Sequence, residues 1–366
     1  MGTPIYTPVF RYRQEEKKVL SSFDFGDRIY PYIEIFKKLE RKHTSKKKAE
    51  PKFHEIYLPI LRTIKSEKVF IDLPIQLKPS SRMKKEVLEF QSRVIGNRTE
   101  RTAHLMSLSL LSKKVIPVIS TYWQRTGEPN SILLQEGDLR LVFDNLAFRT
   151  SSLTFTNDMQ QIAKVITEKD YLFIDLEEYS LASEDDLYSI DFMLDYIANF
   201  KTCPVIILNS PIHHSTTNSG LDHGMRIDKA DNLLQSTFRS YGAMGFGDYV
   251  GIKKDLLEDG GGISPGFIFY DAVENSFYGY KGRNGKEADL DDLRSIIIRD
   301  VLKSDQVTRM STSPIQYIDN LNPGWKLIKD MWAEIEPHKS QAKFKRIAML
   351  HYLYCIDKKI KANIIT

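Results

Sequence analysis

The stretch YLFIDLEEYSLASEDDLYSIDFMLDYIANFKTCPVIILNS, residues 171–210, decides the fold of this chain. It holds two short apolar runs, Tyr171–Leu176 and Cys203–Leu208, on either side of a segment with apolar residues at three- and four-residue spacing. Apolar runs without alternation are typical of strands buried on both faces, and the spacing between them predicts a helix over Glu184–Phe200. The stretch is therefore predicted to form a strand, a helix and a second, parallel strand.

The same alternation of short apolar runs and longer polar or helical segments extends along most of the chain. Eight such runs are present, which predicts an α/β fold, a (β/α)8 TIM-like barrel, with an open doubly wound sheet as the competing architecture. The predicted strands are Tyr6–Phe10, Arg28–Ile35, Lys68–Leu73, Lys114–Ser120, Leu139–Phe143, Tyr171–Leu176, Cys203–Leu208 and Phe246–Ile252.

The C-terminal part of the sequence departs from this rhythm. Gly266–Tyr280 is predicted to form a β-hairpin, and Leu290–Lys303 and Gly324–Ile360 have helical patterns. We expect residues 1–255 to form the barrel and residues 256–366 to form an added C-terminal hairpin and helices that pack on it as one structural unit.

Composition excludes several classes of protein. Of the 366 residues, 42% are hydrophobic and 27% are charged, which is ordinary for a globular chain and excludes a fibrous or disordered one. The net charge of +4 is too small to indicate nucleic-acid binding by itself. Because the sequence has no apolar run of membrane-spanning length and no pattern of a signal peptide, we expect a cytoplasmic protein without a membrane partner.

One segment is strongly basic. Residues 37–52, KKLERKHTSKKKAEPK, contain eight lysines and arginines and two glutamates. The stretch is interpreted either as a solvated loop or as a contact for nucleic acid or another acidic partner. Because no aromatic residues are interleaved, any such contact would be made to phosphate groups and would be sensitive to salt.

Charged residues follow many of the predicted strands. In a parallel barrel the carboxyl ends of the strands form the functional face, so these residues are candidates for a site. The carboxylates could hold a divalent cation for phosphoester chemistry while the arginines bind substrate, or all of them could form structural ion pairs. The candidates are Glu34, Asp72, Asp175 and Asp248 for catalysis, the first three of these for a metal ion, and Arg11 and Arg13 for substrate binding.

Histidines also follow the seventh predicted strand. His213 and His214 are adjacent, and His223 lies nine residues beyond His214. Neighbouring side chains of an extended chain point in different directions, so a zinc site with both histidines would require a turn. The alternative is a surface loop with ordinary imidazoles.

Short motifs spread along the chain resemble the bacterial and phage-associated beta family proteins. The resemblance begins with Tyr6-x-Pro8, Arg11-x-Arg13, Glu15 or Glu16, and Pro31-x-x-Glu34-Ile35. It continues with Gly245-Phe246-Gly247-Asp248-Tyr249, Ile263-Ser264-Pro265-Gly266 before Tyr270, Tyr280-Lys281-Gly282-Arg283, and His351. The resemblance implies a barrel-like fold and a context of mobile or phage-defence genes, and it implies no particular reaction.

These motifs add further candidate residues. Tyr249, Tyr270 and Arg283 join the substrate-binding set, and His351 joins the catalytic set. The chain departs from the pattern in the basic stretch after Glu34, which resembles an insertion. It also has a single histidine at 351 where related sequences often have a pair, so a site built on such a pair does not carry over.

The sequence assigns no reaction, and whether the protein is an enzyme stays open. The leading expectation is a barrel scaffold of a phage-defence or mobile-element system that acts mainly by recognising a protein partner through the barrel mouth and the hairpin. The alternatives are a metal-dependent phosphodiesterase or nuclease that uses the strand-end carboxylates, and a nucleic-acid binder that uses the basic segment. No cofactor is required by the sequence, apart from a possible divalent cation.

Overall fold

The computed structural model describes residues 2–37, 51–77, 80–254, 257 and 264–366. Its centre is a sheet of eight parallel strands that neighbour one another in the order in which they occur along the chain. The strands are β1 (Val9–Arg11), β2 (Tyr32–Glu34), β3 (Val69–Asp72), β4 (Val115–Ser120), β5 (Ala147–Ser151), β6 (Tyr171–Asp175), β7 (Val205–Leu208) and β8 (Gly245–Gly247).

The first and last strands meet and close the barrel. The backbone amide of Thr7 donates to the carbonyl oxygen of Phe246 at 2.8 Å, and the amide of Val9 donates to that of Asp248 at 2.7 Å. A Cβ atom at Gly247 would lie 2.3 Å from the carbonyl oxygen of Thr7, so a larger residue would force the two chain segments apart. The predicted (β/α)8 TIM-like barrel is therefore confirmed.

Helices surround the sheet and cover its outer face. None of the described helices is both long enough and apolar enough to cross a membrane. Shorter helical turns lie at Ser109–Leu111, Trp123–Thr126, Asn218–Gly220, Leu234–Thr237, Phe238–Tyr241 and Gly285–Glu287. The helices of the barrel are α1 (Gln14–Ser22), α2 (Phe53–Thr63), α3 (Lys85–Gly96), α4 (Arg98–Met106), α5 (Ser131–Arg140), α6 (Phe155–Val165) and α7 (Glu184–Asn199).

The predicted position of the fifth strand, Leu139–Phe143, is wrong. Leu139 lies in the last turn of α5, and the strand of that repeat begins eight residues later at Ala147. A short apolar run such as Leu139–Phe143 can end a buried helix or form a strand, and its length alone does not decide between them. Asp144, which the prediction placed at the end of this strand, is exposed in the loop before β5.

The predicted C-terminal hairpin is confirmed. It consists of β9 (Gly266–Asp271) and β10 (Ser276–Lys281), which pair antiparallel, and Met225–Arg226 adds a short third strand beside β10. A separate parallel pair joins Asp24–Gly26 to Lys65–Ser66. The helical elements that follow are a π-helix (Leu293–Ile298) continued by Arg299–Leu302, then α8 (Asp305–Thr312), α9 (Pro323–Trp332) and α10 (Gln341–Lys361).

The C-terminal helix α10 packs against the barrel beside α1. Lys345 forms an ion pair with Glu16, and the Arg346 guanidinium lies 3.4 Å from a carboxylate oxygen of Glu15. Apolar residues of α10 and of the hairpin belong to the same buried cluster as those of the barrel strands and helices. The C-terminal part of the chain thus completes the layer of helices outside β1.

Candidate functional sites

The charged strand ends come together because of the side-chain alternation in the barrel strands. Every second residue of a strand points to the same face. Tyr32 and Phe70 belong to one buried apolar cluster formed by the barrel strands. Glu34 follows Tyr32 by two residues and Asp72 follows Phe70 by two residues, so both carboxylates point to the same side as these rings. Glu34 is in register with Arg11 of β1 on one side and with Asp72 of β3 on the other.

An arginine of β5 joins the predicted carboxylates. Arg149 donates from Nη1 to Glu34 at 2.8 Å and to Asp72 at 3.0 Å, and from Nη2 to Asp175 at 2.6 Å. Arg11 Nε donates to the other oxygen of Glu34 at 2.8 Å. All five side chains are at most 6% exposed. We call this set of Arg11, Glu34, Asp72, Arg149 and Asp175 the mouth cluster.

A second arginine supports Asp72 from outside the strands. Arg101 of α4 donates from Nη2 to Asp72 at 2.7 Å and from Nη1 to Gln135 at 2.7 Å, and it is fully buried. Neither Arg101 nor Arg149 is among the site residues predicted from the sequence. The sequence holds one indication that Arg101 is buried, because it lies one helical turn before the buried Leu105. The same spacing is also common at exposed helix positions, so it does not identify Arg101 as a site residue.

The arginines control the ionisation of the mouth cluster. Burial by itself would raise the pKa of Glu34, but Arg11 and Arg149 outweigh it and lower the pKa to about 2. The pKa of Asp175 is also lowered, because Arg149 outweighs its burial. A metal ion bound here would have to displace a guanidinium group from buried carboxylates that already compensate its charge. The geometry therefore favours a structural ion cluster over a cation site.

Tyr249 lies beside the mouth cluster. The guanidinium of Arg11 stands 5.6 Å from the centre of its ring, and the Lys254 amino group stands 5.4 Å from it. Its hydroxyl is buried and has no hydrogen-bond partner in the described ranges of the chain. The structure thus brings Tyr249 close to Arg11, and both are among the residues predicted to bind substrate.

Asp248 occupies a different environment from the other strand-end carboxylates. It accepts hydrogen bonds from the hydroxyl groups of Tyr6 at 2.7 Å and Tyr352 at 2.5 Å, and from the amide of Val250 at 2.7 Å. Burial raises the pKa of Asp248, although these hydrogen bonds oppose the shift. Asp248 therefore connects the beginning of the barrel, the end of β8 and α10.

His351 is enclosed in the C-terminal part of the chain. Its Nε2 atom lies 2.8 Å from the carbonyl oxygen of Tyr270, and its Nδ1 atom lies 2.8 Å from Nδ2 of Asn322. Burial lowers the pKa of His351 to about 4, so the imidazole is neutral at physiological pH. Both ring nitrogens are engaged by the protein, and the side chain is fully buried.

The remaining candidates of the C-terminal part lie in separate places. The hydroxyl of Tyr270 is buried and donates to Asn275 at 2.7 Å, while Lys359 donates to it at 2.9 Å. Arg283 lies at the surface and donates from Nη2 to Asp292 at 2.7 Å. The structure therefore does not bring either residue to the mouth cluster.

Arg13 lines a basic cleft next to α1. Its guanidinium lies 5.7 Å from the ring centre of Phe36, and the cleft has a volume of about 720 Å³. Residues 38–50 of the predicted basic segment lie outside the described residues. The other cations that line this cleft are Lys17, Lys18, Lys37 and Lys84.

A second cleft, of about 610 Å³, opens where the chain leaves β6 and β7. Glu178, Asn209, Ser210 and His213 line it, so it lies at the face of the barrel where strands end. This is the face of the barrel on which a functional site was predicted from the sequence. We call this cleft the rim cleft.

Three possible metal ligands meet at the edge of the rim cleft. The turn that a two-histidine site requires is present, since the amide of Thr216 donates to the carbonyl oxygen of His213 at 3.0 Å. His213 Nε2 lies 3.3 Å from Glu178 Oε2, and His214 Nδ1 contacts the same oxygen. His223 lies elsewhere, with its Nε2 atom 3.0 Å from Asp300.

The exposed face of α7 is aromatic and acidic. Tyr188, Phe192 and Tyr196 are 88%, 47% and 39% exposed and follow one another at four-residue intervals. Exposed Asp191 and Asp195 lie directly before two of the three rings. Four-residue spacing places the rings in one row along the helix. We call Tyr188, Asp191, Phe192, Asp195 and Tyr196 the α7 face.

Comparisons with known proteins place the chain in a family. The family model described as Beta protein matches residues 6–356, which is nearly the whole chain. The searches of curated proteins and of solved structures found no significant match. The matched range includes the barrel, the C-terminal hairpin and most of the C-terminal helices. The resemblance predicted from the short motifs is confirmed. The chain belongs to the Beta protein family.

Proposed function

We propose that this protein acts by binding a protein partner through the α7 face. The observation that carries the proposal is the row of exposed rings at Tyr188, Phe192 and Tyr196, with aspartates between them. Large aromatic side chains are enriched in protein interfaces, where they supply most of the buried apolar area. A row of such rings in water is unfavourable unless a partner covers it.

Two of the three rings, Phe192 and Tyr196, pack against a common aromatic neighbour. Phe155 of α6 packs edge-on against both Phe192 and Tyr196, with ring centres 5.5 and 5.3 Å apart. Tyr196 in turn stacks on Phe200 at 6.0 Å. The buried ring of Phe155 anchors the exposed ones, so the α7 face is held in place before any partner binds.

The aspartates of the α7 face are not explained by the stability of the helix. Glu184, Asp185 and Asp186 lie in the first turn, where negative charge is favourable, and Ser183 caps the helix. Asp191 and Asp195 lie further along, and the last turn has no basic residue. Both lie beyond the first turn, where the helix dipole no longer favours negative charge, so the stability of the helix does not account for these two residues.

The charge of α7 indicates the chemistry of the partner. The helix contains five acidic residues and no basic ones, in a chain with a net charge of +4. Complementary charge around an apolar contact steers association and selects the partner. We therefore propose a protein segment that presents lysines or arginines around an apolar strip.

The hairpin gives less support to partner binding than the sequence analysis expected. Tyr270, Phe277 and Tyr280 are all buried, and only Tyr278 is partly exposed. The carboxylates of the mouth cluster are likewise enclosed and bonded to arginines. Apart from the partly exposed Tyr278, the hairpin aromatics and the mouth carboxylates are buried, so the proposal of partner binding rests on α7. The context of phage defence remains an expectation from the family resemblance.

The test is site-specific photocrosslinking in the host cell. The photoreactive residue p-benzoylphenylalanine replaces Tyr188, and in a matched control it replaces Leu321, which is 76% exposed in the C-terminal part. We expect one crosslinked protein from position 188, with the crosslinked segment basic and apolar. The double substitution Asp191→Lys and Asp195→Lys should reduce the yield of this crosslink at least tenfold. This corresponds to a loss of roughly 1.4 kcal/mol in the free energy of binding to a basic partner.

Three outcomes would overturn the proposal. The first is a crosslinking yield at position 188 no higher than at position 321. The second is a crosslink to a second copy of this chain only, and the third is a crosslink that the two lysine substitutions leave unchanged. Circular dichroism of each variant shows whether the fold is retained.

Nucleic-acid binding is the second candidate function. The basic cleft at Arg13 supports it, because Lys17, Lys18, Lys37 and Lys84 line the same space. Phosphate contacts by such side chains would give an affinity that falls with salt. Fluorescence anisotropy with a single-stranded DNA of mixed sequence tests it: Lys17→Ser with Lys84→Ser should make the salt dependence shallower, and an unchanged slope would remove this candidate.

The phosphodiesterase alternative receives little support from the mouth cluster. Its proposed metal ligands Glu34, Asp72 and Asp175 all accept hydrogen bonds from Arg149. The guanidinium group already supplies the positive charge that a cation would bring to them.

A further inference from the structure

We propose that Glu178, His213 and His214 bind a divalent transition-metal ion at the edge of the rim cleft. One ligand atom from each residue, a carboxylate oxygen or an imidazole nitrogen, lies within 4.8 Å of the other two. Among the described residues, this is the single group of three or more histidine, cysteine or carboxylate side chains with such spacing. The inference is independent of the partner proposed for α7.

One of the spacings suits a metal of the zinc class, whereas His214 Nδ1 is hydrogen-bonded to Glu178 Oε2 and would have to move away from that oxygen to bind the same ion. Nitrogen and oxygen ligands bind Zn²⁺ at about 2.0–2.2 Å, which in a tetrahedron puts ligand atoms roughly 3.3–3.6 Å apart. His213 Nε2 and Glu178 Oε2 are separated by 3.3 Å. Two imidazoles and one carboxylate are a ligand set for Zn²⁺ or Fe²⁺, whereas Ca²⁺ and Mg²⁺ prefer oxygen ligands alone.

The protein holds the carboxylate in the orientation that a ligand requires. The amide of His214 donates to Glu178 Oε1 at 2.8 Å, which leaves Oε2 directed at the two imidazoles. The neighbouring Glu177 has a left-handed backbone with φ of 57°, and its carbonyl oxygen accepts from the amide of Ser210 at 2.7 Å. The loops after β6 and β7 are thus joined next to the ligands.

Groups behind the histidines hold them in position. The hydroxyl of Ser215 lies 2.6 Å from Nδ1 of His213, the ring nitrogen that faces away from Glu178. Lys253 donates to the carbonyl oxygens of His214 at 3.3 Å and Thr216 at 2.6 Å. In metal sites, a hydrogen bond to the ring nitrogen that does not bind the metal commonly fixes the orientation of a histidine ligand.

The site would retain open coordination positions. The side chains of Glu178, His213 and His214 are 21%, 39% and 43% exposed, and the first two line the rim cleft. Three protein ligands with access to solvent are the pattern of metal sites that take a further ligand, while structural zinc sites have four protein ligands. A water molecule or a ligand in the rim cleft would complete the coordination.

Isothermal titration calorimetry of the full chain with Zn²⁺ tests this proposal. We expect one ion per chain for the natural protein, and at least about tenfold weaker binding for Glu178→Gln and for His213→Ala, since even outer-shell partners of metal ligands contribute this much. The matched control is His338→Ala, which removes an imidazole paired with Asp291 at 3.1 Å. Binding by the control should equal that of the natural protein.

Titration with Co²⁺ gives a second readout, because imidazole coordination produces visible absorption bands that non-specific binding does not. We expect these bands for the natural protein and for His338→Ala, and their loss in His213→Ala. If the natural protein binds Zn²⁺ no more tightly than Glu178→Gln, or if His338→Ala weakens binding as much as His213→Ala, the three residues form ordinary ion pairs and the proposal is wrong.

Discussion

The mouth cluster and the rim cleft both lie at the carboxyl ends of the barrel strands, and they differ in what surrounds their charges. In the mouth cluster, the guanidinium groups of Arg11 and Arg149 occupy the carboxylate oxygens, and all the side chains are buried. At the rim cleft, Glu178 faces two partly exposed imidazoles. The carboxylates of the mouth cluster are thus already neutralised by arginines, whereas no arginine neutralises Glu178 among the described residues.

The largest effect that we predict concerns the centre of the mouth cluster. Arg149→Met removes the charge that compensates three buried carboxylates, and breaking a buried ion pair in this way costs about 3–5 kcal/mol. Urea denaturation measures the loss in the free energy of unfolding. The exposed pair of Lys361 with Asp357 provides the control, since Lys361→Ala should change stability by no more than about 0.5 kcal/mol.

A loss below about 1 kcal/mol for Arg149→Met would contradict this interpretation of the mouth cluster. It would mean that the carboxylates find other compensation, and the cation site expected at Glu34, Asp72 and Asp175 would regain support.

The second prediction concerns His351, the buried histidine of the C-terminal part. His351 has a pKa of about 4 in the folded chain against 6.5 for an ordinary imidazole. The unfolded chain therefore binds the proton first, and stability that is present above pH 6.5 is lost as the pH falls towards 4. The contribution of His351 to this loss between pH 7 and pH 5 is about 2 kcal/mol.

Urea denaturation of the natural protein and of His351→Gln at pH 7 and pH 5 measures this contribution as the difference between the two proteins. The Gln variant is less stable at pH 7 but should lose less stability on acidification. Equal pH dependence in the natural protein and His351→Gln would contradict the prediction.

The smallest effect is expected on the α7 face. Tyr188→Ser removes a ring that is 88% exposed, so the free energy of unfolding should change by no more than about 0.5 kcal/mol. Phe155→Ser, in the same aromatic surface but buried, should cost about 3 kcal/mol or more. Thermal denaturation of both variants measures the contrast, and a large loss for Tyr188→Ser would assign the α7 face to stability instead of binding.

Much of the barrel could be predicted because its strands are buried on both faces and stand out as apolar runs. Seven of the eight predicted runs overlap or adjoin observed strands, and the strand ends at Arg11, Glu34, Asp72 and Asp175 were located from them. The wrong prediction of a strand at Leu139–Phe143 also affected the predicted site. It placed the fifth strand before its true position and so left Arg149, the residue that joins the mouth cluster, out of the candidate set.

The rim cleft and the α7 face illustrate a different limit. His213 and His214 were recognised as possible ligands, but Glu178, which is 36 residues away from His214, was not assigned to them. The aromatic row of α7 lies in the predicted helix Glu184–Phe200, but no contact surface was predicted on that helix. Local spacing cannot tell which apolar side of such a helix faces the sheet and which remains in water.

The positions of most strands, the alternation of their side chains and the charges at their ends follow from the local pattern of the chain, because strands have a fixed period and parallel sheets are buried. The order of the strands in a closed barrel and the pairing of the charges became clear only from the folded structure. Arg149 reaches Glu34 across 115 positions of the sequence, and Lys345 reaches Glu16 from the C-terminal helix. Such pairings depend on distances through the closed barrel, and these distances have no counterpart in the local pattern of the chain.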